Sequence, residues 1–268
     1  MPLWGYLRQP LRASTMEGAR TAVLTLPSSW TGLSAVAHAD HVLAADALTA
    51  SMAVDHGVEW SPELLEGVET VVSSPGAPRP PVLVWAGRMI PRKAPRLALA
   101  AWARALPLLP TEAQLVFYGD GPEMQKVRAD HRRLGVGTSV RIEGRVPHTN
   151  VGLALRSARG LILSSLRDTS SAQILEAAAW GTPVVRPIHS GLRTLDAWYP
   201  QDMGWSHLAR GSWSAAVIAL SKSIVECLSS DEQQWEHRAQ LAVRTAERQV
   251  WGAKADRVVA LYLRLLER

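Results

Sequence analysis

At 268 residues, with 47% apolar and 6% aromatic side chains, the chain can hold one large or two modest domains with ample core. The net charge of +5 is carried almost wholly by arginine, since only four of 29 basic residues are lysine. That composition reflects first a GC-rich genome and only second an affinity for phosphates or anionic surfaces. No run reaches about 18 consecutive apolar residues, the start does not resemble a signal peptide, and the single Cys227 excludes an intrachain disulfide. Cytoplasmic residence is the expectation; attachment at the periphery of a membrane is left open but has no clear amphipathic anchor behind it.

In chain order, the first 80 residues hold one helix–strand–helix pattern at about 31–56 after an irregular start, too little for a complete domain. The clearest break is the linker Ser73-Ser74-Pro75-Gly76-Ala77-Pro78-Arg79-Pro80-Pro81. Beyond it strands are expected near 82–87, 114–118, 139–143, 160–164 and 183–186, with a short one near 203–206. Helices are expected near 95–106, 122–134, 149–158, 171–180, 212–228, 232–246 and 252–267. Continuous apolar runs such as VLVWA and QLVFY fit strands buried on both faces, so the alternation predicts an α/β fold, a doubly wound parallel sheet with C-terminal helices. The division expected is 1–80, a partial unit plus linker, and 81–268, a ligand-binding Rossmann-like unit.

The richest segment runs from Ser164 to Val185. It places Asp168 eight residues before Glu176, across a turn of small hydroxyl residues that opens a helix. Ser170 or Ser171 can cap that helix and leave its first N–H groups, around Thr169, Ser170, Ser171 and Ala172, for an anion. Glu176 leans back toward the same loop, because helical side chains tilt toward the N-terminus. A ligand with hydroxyls at one end and phosphates in the middle suits such a site. Gly87-Arg88-Met89-Ile90-Pro91-Arg92-Lys93 follows the first strand after the linker, where Arg88 and Lys93 can converge on a diphosphate. Gly119-Asp120-Gly121-Pro122 ends a second strand with a GxG that lets backbone approach a ligand. Gly144-Arg145-Val146-Pro147-His148 closes a third, where the backbone of Arg145 and Val146 can edge a nucleobase.

Other readings are weaker. Met124 stands where a dinucleotide fingerprint wants its third glycine, so NAD is not expected. His38-Ala39-Asp40-His41 lacks a third or fourth metal ligand and reads as exposed polar residues. No D-x-D, GxSxG or complete P-loop occurs, and the basic residues lack the aromatic interleaving of a nucleic-acid surface. No metal and no cofactor is expected. Eleven tryptophans stand against one phenylalanine, a bias with no functional reading from the sequence.

Together these motifs resemble the C-terminal, donor-binding domain of a GT-B fold glycosyltransferase of family 4. The resemblance spans about 82–268 and rests on five ordered motifs. They are Gly87-Arg88…Lys93, Gly119-Asp120-Gly121-Pro122, Val140-Arg141-Ile142-Glu143-Gly144-Arg145-Val146, Asp168…Glu176-Ala177…Gly181-Thr182-Pro183-Val184-Val185 and Trp251-Gly252-Ala253-Lys254-Ala255. Upstream, Ala39-Asp40-His41-Val42 and Glu66-Gly67-Val68-Glu69 are similar to the end of the family's N-terminal domain. The resemblance implies that Arg88 and Lys93 hold a donor diphosphate and Glu176 the ribose hydroxyls. Asp168 then faces the donor sugar, with the 169–172 backbone supporting phosphate and sugar. It further implies metal-independent transfer of a hexose-type sugar from a nucleotide-sugar to an acceptor, with retention. Partners implied are that nucleotide-sugar, an acceptor, and either a separate chain supplying the N-terminal domain or a second copy. Asp168 replaces the commoner Glu, Thr169-Ser170-Ser171 the usual G-F-G, and Ala94 the glycine after the lysine. Alternatives are a non-catalytic nucleotide-sugar-binding module or inactive remnant, and a GT-B relative such as an epimerase or phosphorylase.

Overall fold

The computed structural model describes residues 21–24, 41–44, 53–61, 67–71, 79–168, 172–189, 192, 199 and 201–267. Two compact units are present: Glu66–Ala253, and Met1–Leu65 together with Lys254–Arg268.

In the second of these, β1 (Thr21–Leu24), β2 (His41–Ala44) and β3 (Trp60–Ser61) form a parallel three-stranded sheet in that order. Sequence reasoning anticipates only the middle strand. β1, and β3 with its two residues, lie outside the helix–strand–helix pattern expected at about 31–56. His41, expected as an exposed polar residue, is instead buried at 4% exposure, its Nδ1 3.6 Å from Glu59 Oε2. His38 and Asp40 lie outside the described residues.

The larger unit is a six-stranded sheet built from β4 (Val82–Ala86), β5 (Gln114–Tyr118), β6 (Val140–Gly144), β7 (Gly160–Ile162), β8 (Val184–Ile188) and β9 (Gly204–Leu208). Their order across the sheet is β6-β5-β4-β7-β8-β9 and every pairing is parallel. The helices are α1 (Pro95–Ala105), α2 (Met124–Leu134), α3 (His148–Ser157), α4 (Ala172–Ala179), α5 (Trp213–Ser229) and α6 (Glu232–Glu247). A last helix, α7 (Trp251–Leu266), begins in this unit and continues into the other. The expected α/β class and doubly wound parallel sheet are what the chain forms. The segment before the linker folds with this unit: Val68 bridges Val250, and Val68 N–H donates to Gln249 O at 3.0 Å.

Alternation along the strands divides the core. Leu83, Trp85, Leu115 and Phe117 point to one face with α1 and α5, while Val84, Leu161 and Val184 point to the other with α3, α4 and α6. Cys227 is fully buried in α5, and burial pushes its thiol pKa up.

Tryptophan finds a structural use at the edge of this core. Trp235 of α6 is fully buried, and its indole N–H donates to Arg159 O at 2.8 Å. The guanidinium of Arg79 lies 4.9 Å from its ring centroid and that of Arg159 5.9 Å. Arg79, from the linker, also donates to Leu155 O (3.2 Å), Ala158 O (2.9 Å), Trp180 O (2.7 Å) and Thr182 Oγ1 (2.7 Å). One cation thus satisfies the carboxyl ends of α3 and α4, where carbonyls lack helical partners and the helix dipoles favour positive charge. Burial lowers its pKa to about 10, which still leaves it charged at neutral pH.

Candidate functional site

The sheet order places a topological switch point between β4 and β7. The chain leaves β4 toward α1 on one face and β7 toward α4 on the other, so their carboxyl ends open a crevice, the usual ligand position in such sheets.

The two loops that border it are stitched together. Leu166 N–H donates to Arg92 O at 2.8 Å, and the Arg92 guanidinium to Arg167 O at 3.0 Å. Ser164 Oγ accepts from Trp85 Nε1 at 2.9 Å and shares its proton between Lys93 O (3.0 Å) and Ala94 O (2.9 Å). Over this scaffold Lys93 Nζ sits 2.6 Å from Asp168 Oδ2 and donates to Gln173 Oε1 at 3.4 Å. Asp168 is 5% exposed, also accepts from Ser165 Oγ at 3.2 Å, and has Arg92 3.6 Å from Oδ1. The Gln173 amide donates to Ala86 O, tying α4 to the end of β4. His189, just after β8, donates through Nε2 to Ser165 O at 3.1 Å, and burial pushes its pKa down.

The 3-10 turn Pro91–Lys93 ends at Ala94, which has φ 45° and ψ 56°. This is the chain's sole described non-glycine residue at positive φ, at the position where the family resemblance puts glycine. A left-handed L-residue costs about 1–2 kcal/mol, partly offset in a glycine variant by unfolded-chain entropy and a lost buried methyl. Ala94→Gly is therefore expected to raise the melting temperature by about 2 °C. A fall on thermal denaturation would mean that the methyl's packing outweighs the strain.

Gly87, Gly119 and Gly121 meet at the same rim for a reason other than the one expected. Gly87 N–H donates to Tyr118 O at 2.9 Å, Met89 N–H to Asp120 O at 2.8 Å and Glu123 N–H to Met89 O at 2.8 Å. A Cβ on Gly119 would overlap the Gly87 carbonyl oxygen, and one on Gly121 would lie 2.6 Å from Met89 O. Backbone from the neighbouring loop takes that space, so the GxG packs loop against loop.

Glu176 is half-buried in α4, with Oε1 3.3 Å from Nε2 of His148, the first residue of α3. Arg88 and Arg145 are exposed, with no ion-pair partner among the described residues, and Val146 and Ala172 are half-buried. Thr169, Ser170 and Ser171 lie outside the described residues. The structure therefore brings together Lys93, Asp168 and the Gly87–Gly119–Gly121 rim. Within it Lys93 Nζ is held 2.6 Å from Asp168 Oδ2.

Four contributors were missed from sequence: Ser164, Ser165, Gln173 and His148, the partner of Glu176. The serine doublet after a buried strand and a polar residue in the first turn of α4 were the available signals. Among the described residues no group of three His, Cys, Asp or Glu is placed to hold a metal ion, and no helix is long and apolar enough to cross a membrane.

Fold and site define a class: a Rossmann-like α/β unit with a crevice at its switch point. Residues 80–196 match the model of the glycosyl transferases group 1. A relative from Catenulispora acidiphila, D-inositol 3-phosphate glycosyltransferase 1, is 26% identical over 202 residues, covering 69% of this chain and 44% of its own. The chain thus spans less than half the length of that relative. Among solved structures, the GtfA/B complex superposes with a TM-score of 0.72 at 16% identity, over 89% of this chain and 48% of the other. The pneumococcal O-GlcNAc transferase GtfA, in complex with UDP and GlcNAc, gives a TM-score of 0.66 at 13% identity, over 86% and 46%. These likenesses carry the GT-B type of fold.

Proposed function

We propose that the chain is the donor-binding part of a glycosyltransferase that moves a hexose-type sugar from a nucleotide-sugar to an acceptor, with retention, without a metal ion. The observation that carries this is the crevice at the β4–β7 switch point. Lys93 and the start of α4, at the carboxyl ends of those strands, are read as its phosphate side, and Glu176, further along the same helix, as its ribose side. On this reading Arg88 and Lys93 neutralise the diphosphate, Glu176 accepts from the ribose hydroxyls, and the Arg145–Val146 backbone borders the base. Charge developing on the nucleoside diphosphate as it leaves is what the cations stabilise, and they supply what a divalent ion would otherwise provide. Retention comes from the family resemblance. Partners on this reading are the nucleotide-sugar, an acceptor and a further chain or a second copy, and residence is cytoplasmic. A second reading, a nucleotide-sugar-binding module without catalysis, is favoured by one observation: the Asp168 carboxylate is engaged by Lys93 rather than displayed toward a sugar.

Calorimetric titration with UDP, GDP and ADP tests the site. Micromolar binding of one nucleotide is expected, weakened about tenfold or more in Lys93→Ala. Binding of none of them would overturn the reading of a formed donor site.

A further inference from the structure

The Lys93–Asp168 pair has a consequence for phosphate affinity, resting on the reading of the crevice as a donor site. We infer that Asp168 is an internal counter-ion that competes with the donor diphosphate for Lys93, a positioning residue that sets phosphate affinity low and eases departure of the nucleoside diphosphate.

The geometry gives the reason. Asp168 Oδ2 lies 2.6 Å from Lys93 Nζ, with both side chains largely shielded from water, at 6% and 15% exposure. Its Oδ2 also accepts from Ser165 Oγ, and Arg92 stands 3.6 Å from Oδ1, so the 92–93 turn brings a cation to each oxygen of this carboxylate. The Asp168 carboxylate, one methylene shorter than the Glu that the resemblance leads one to expect, is held down against that turn. A diphosphate reaching Lys93 must displace a carboxylate already at hydrogen-bond distance, or accept its repulsion. At the low effective dielectric of a partly buried pair, that competition is not screened away. Arg88, exposed and without an ion-pair partner among the described residues, bears no such tether, so the two cations expected to act alike are unequal. The ribose end of the ligand is handled by Glu176, on the far side of the first turn of α4, and is not part of the competition.

The test is calorimetry on the full chain with a nucleoside diphosphate and the matching nucleoside, for the unmodified protein and Asp168→Asn. Asp168→Asn is expected to bind the diphosphate about tenfold more tightly, with nucleoside affinity unchanged. Equal or weaker diphosphate binding, or an equal change for the nucleoside, overturns the inference while leaving the donor site standing. No binding of either ligand to either protein overturns the donor reading itself and the inference with it. Should Asp168→Asn not fold, the four lysines of the unmodified chain (93, 126, 222 and 254) can be dimethylated with ¹³C, which keeps their charge, and followed by NMR. Exchange of Lys93 from carboxylate to phosphate is expected to move its resonance on addition of diphosphate and not of nucleoside. A Lys93 signal that stays fixed while the diphosphate binds overturns the inference.

Discussion

Gly119→Ala is expected to lower the melting temperature by about 10 °C, far more than its single added methyl suggests. Gly119 has φ 128°, a conformation that L-residues rarely adopt, and its missing Cβ leaves room for the Gly87 carbonyl. Neither neighbour can yield. The Gly87 backbone is held by Tyr118 O, the Gly119 N–H donates to Gly144 O at 2.7 Å, and Met89 is held by Asp120 and Glu123. Strained φ/ψ and overpacking each cost about 1–3 kcal/mol, and here both act at once. Gly137→Ala is the control: Gly137 is also at positive φ, 56°, but nothing lies within 4 Å of a Cβ there. It is expected to cost only the conformational part, about 1–2 kcal/mol. Scanning calorimetry of the two variants separates the terms. Equal losses would show that the loops re-pack around the added methyl. A folded Gly119→Ala is also expected to displace the 87–93 turn and so weaken nucleotide binding.

What sequence could tell was set by how far each feature reaches along the chain. β4 and β5 are continuous apolar runs in a parallel sheet, so strand position follows from local composition, and the Gln114–Tyr118 bounds agree with expectation residue for residue. Helix starts were less accurate where turns precede them: α2 begins at Met124, because Gly121–Glu123 is spent on the contact with Met89. The crevice was readable as a set of motifs, each at a strand's carboxyl end, since topology then brings the ends together. The direction in which each side chain points was not. Lys93 and Asp168 are 75 residues apart, and their pairing depends on a turn closed by Ala94 at positive φ, an alanine where local propensity argues against that conformation. The linker arginine looked like part of a flexible connection by composition alone. Its burial depends on carbonyls from residues 155, 158 and 180, which no local pattern encodes.

That arginine leads to the other large expected effect. Trp235→Ala is expected to cost about 4 kcal/mol and lower the melting temperature by about 10 °C. The loss has three parts. A fully buried indole leaves a cavity in the core cluster it shares with Leu228, Cys227 and Ala239, which cannot fully collapse. Arg159 O loses the indole N–H at 2.8 Å. The guanidiniums of Arg79 and Arg159, both buried at 7% exposure, lose the ring face beside them, and buried cations depend on such partners. Trp235→Phe keeps a ring and most of the volume but not the N–H, and is expected to cost about 1–2 kcal/mol. Since Arg79 caps α3 and α4, loosening it reaches the carboxyl end of the helix that carries Glu176. Trp235→Ala is accordingly expected to weaken nucleotide binding below its melting transition, and Trp235→Phe to leave it unchanged. Full-strength binding in a folded Trp235→Ala would show that the helix ends hold their places without the stacked arginine.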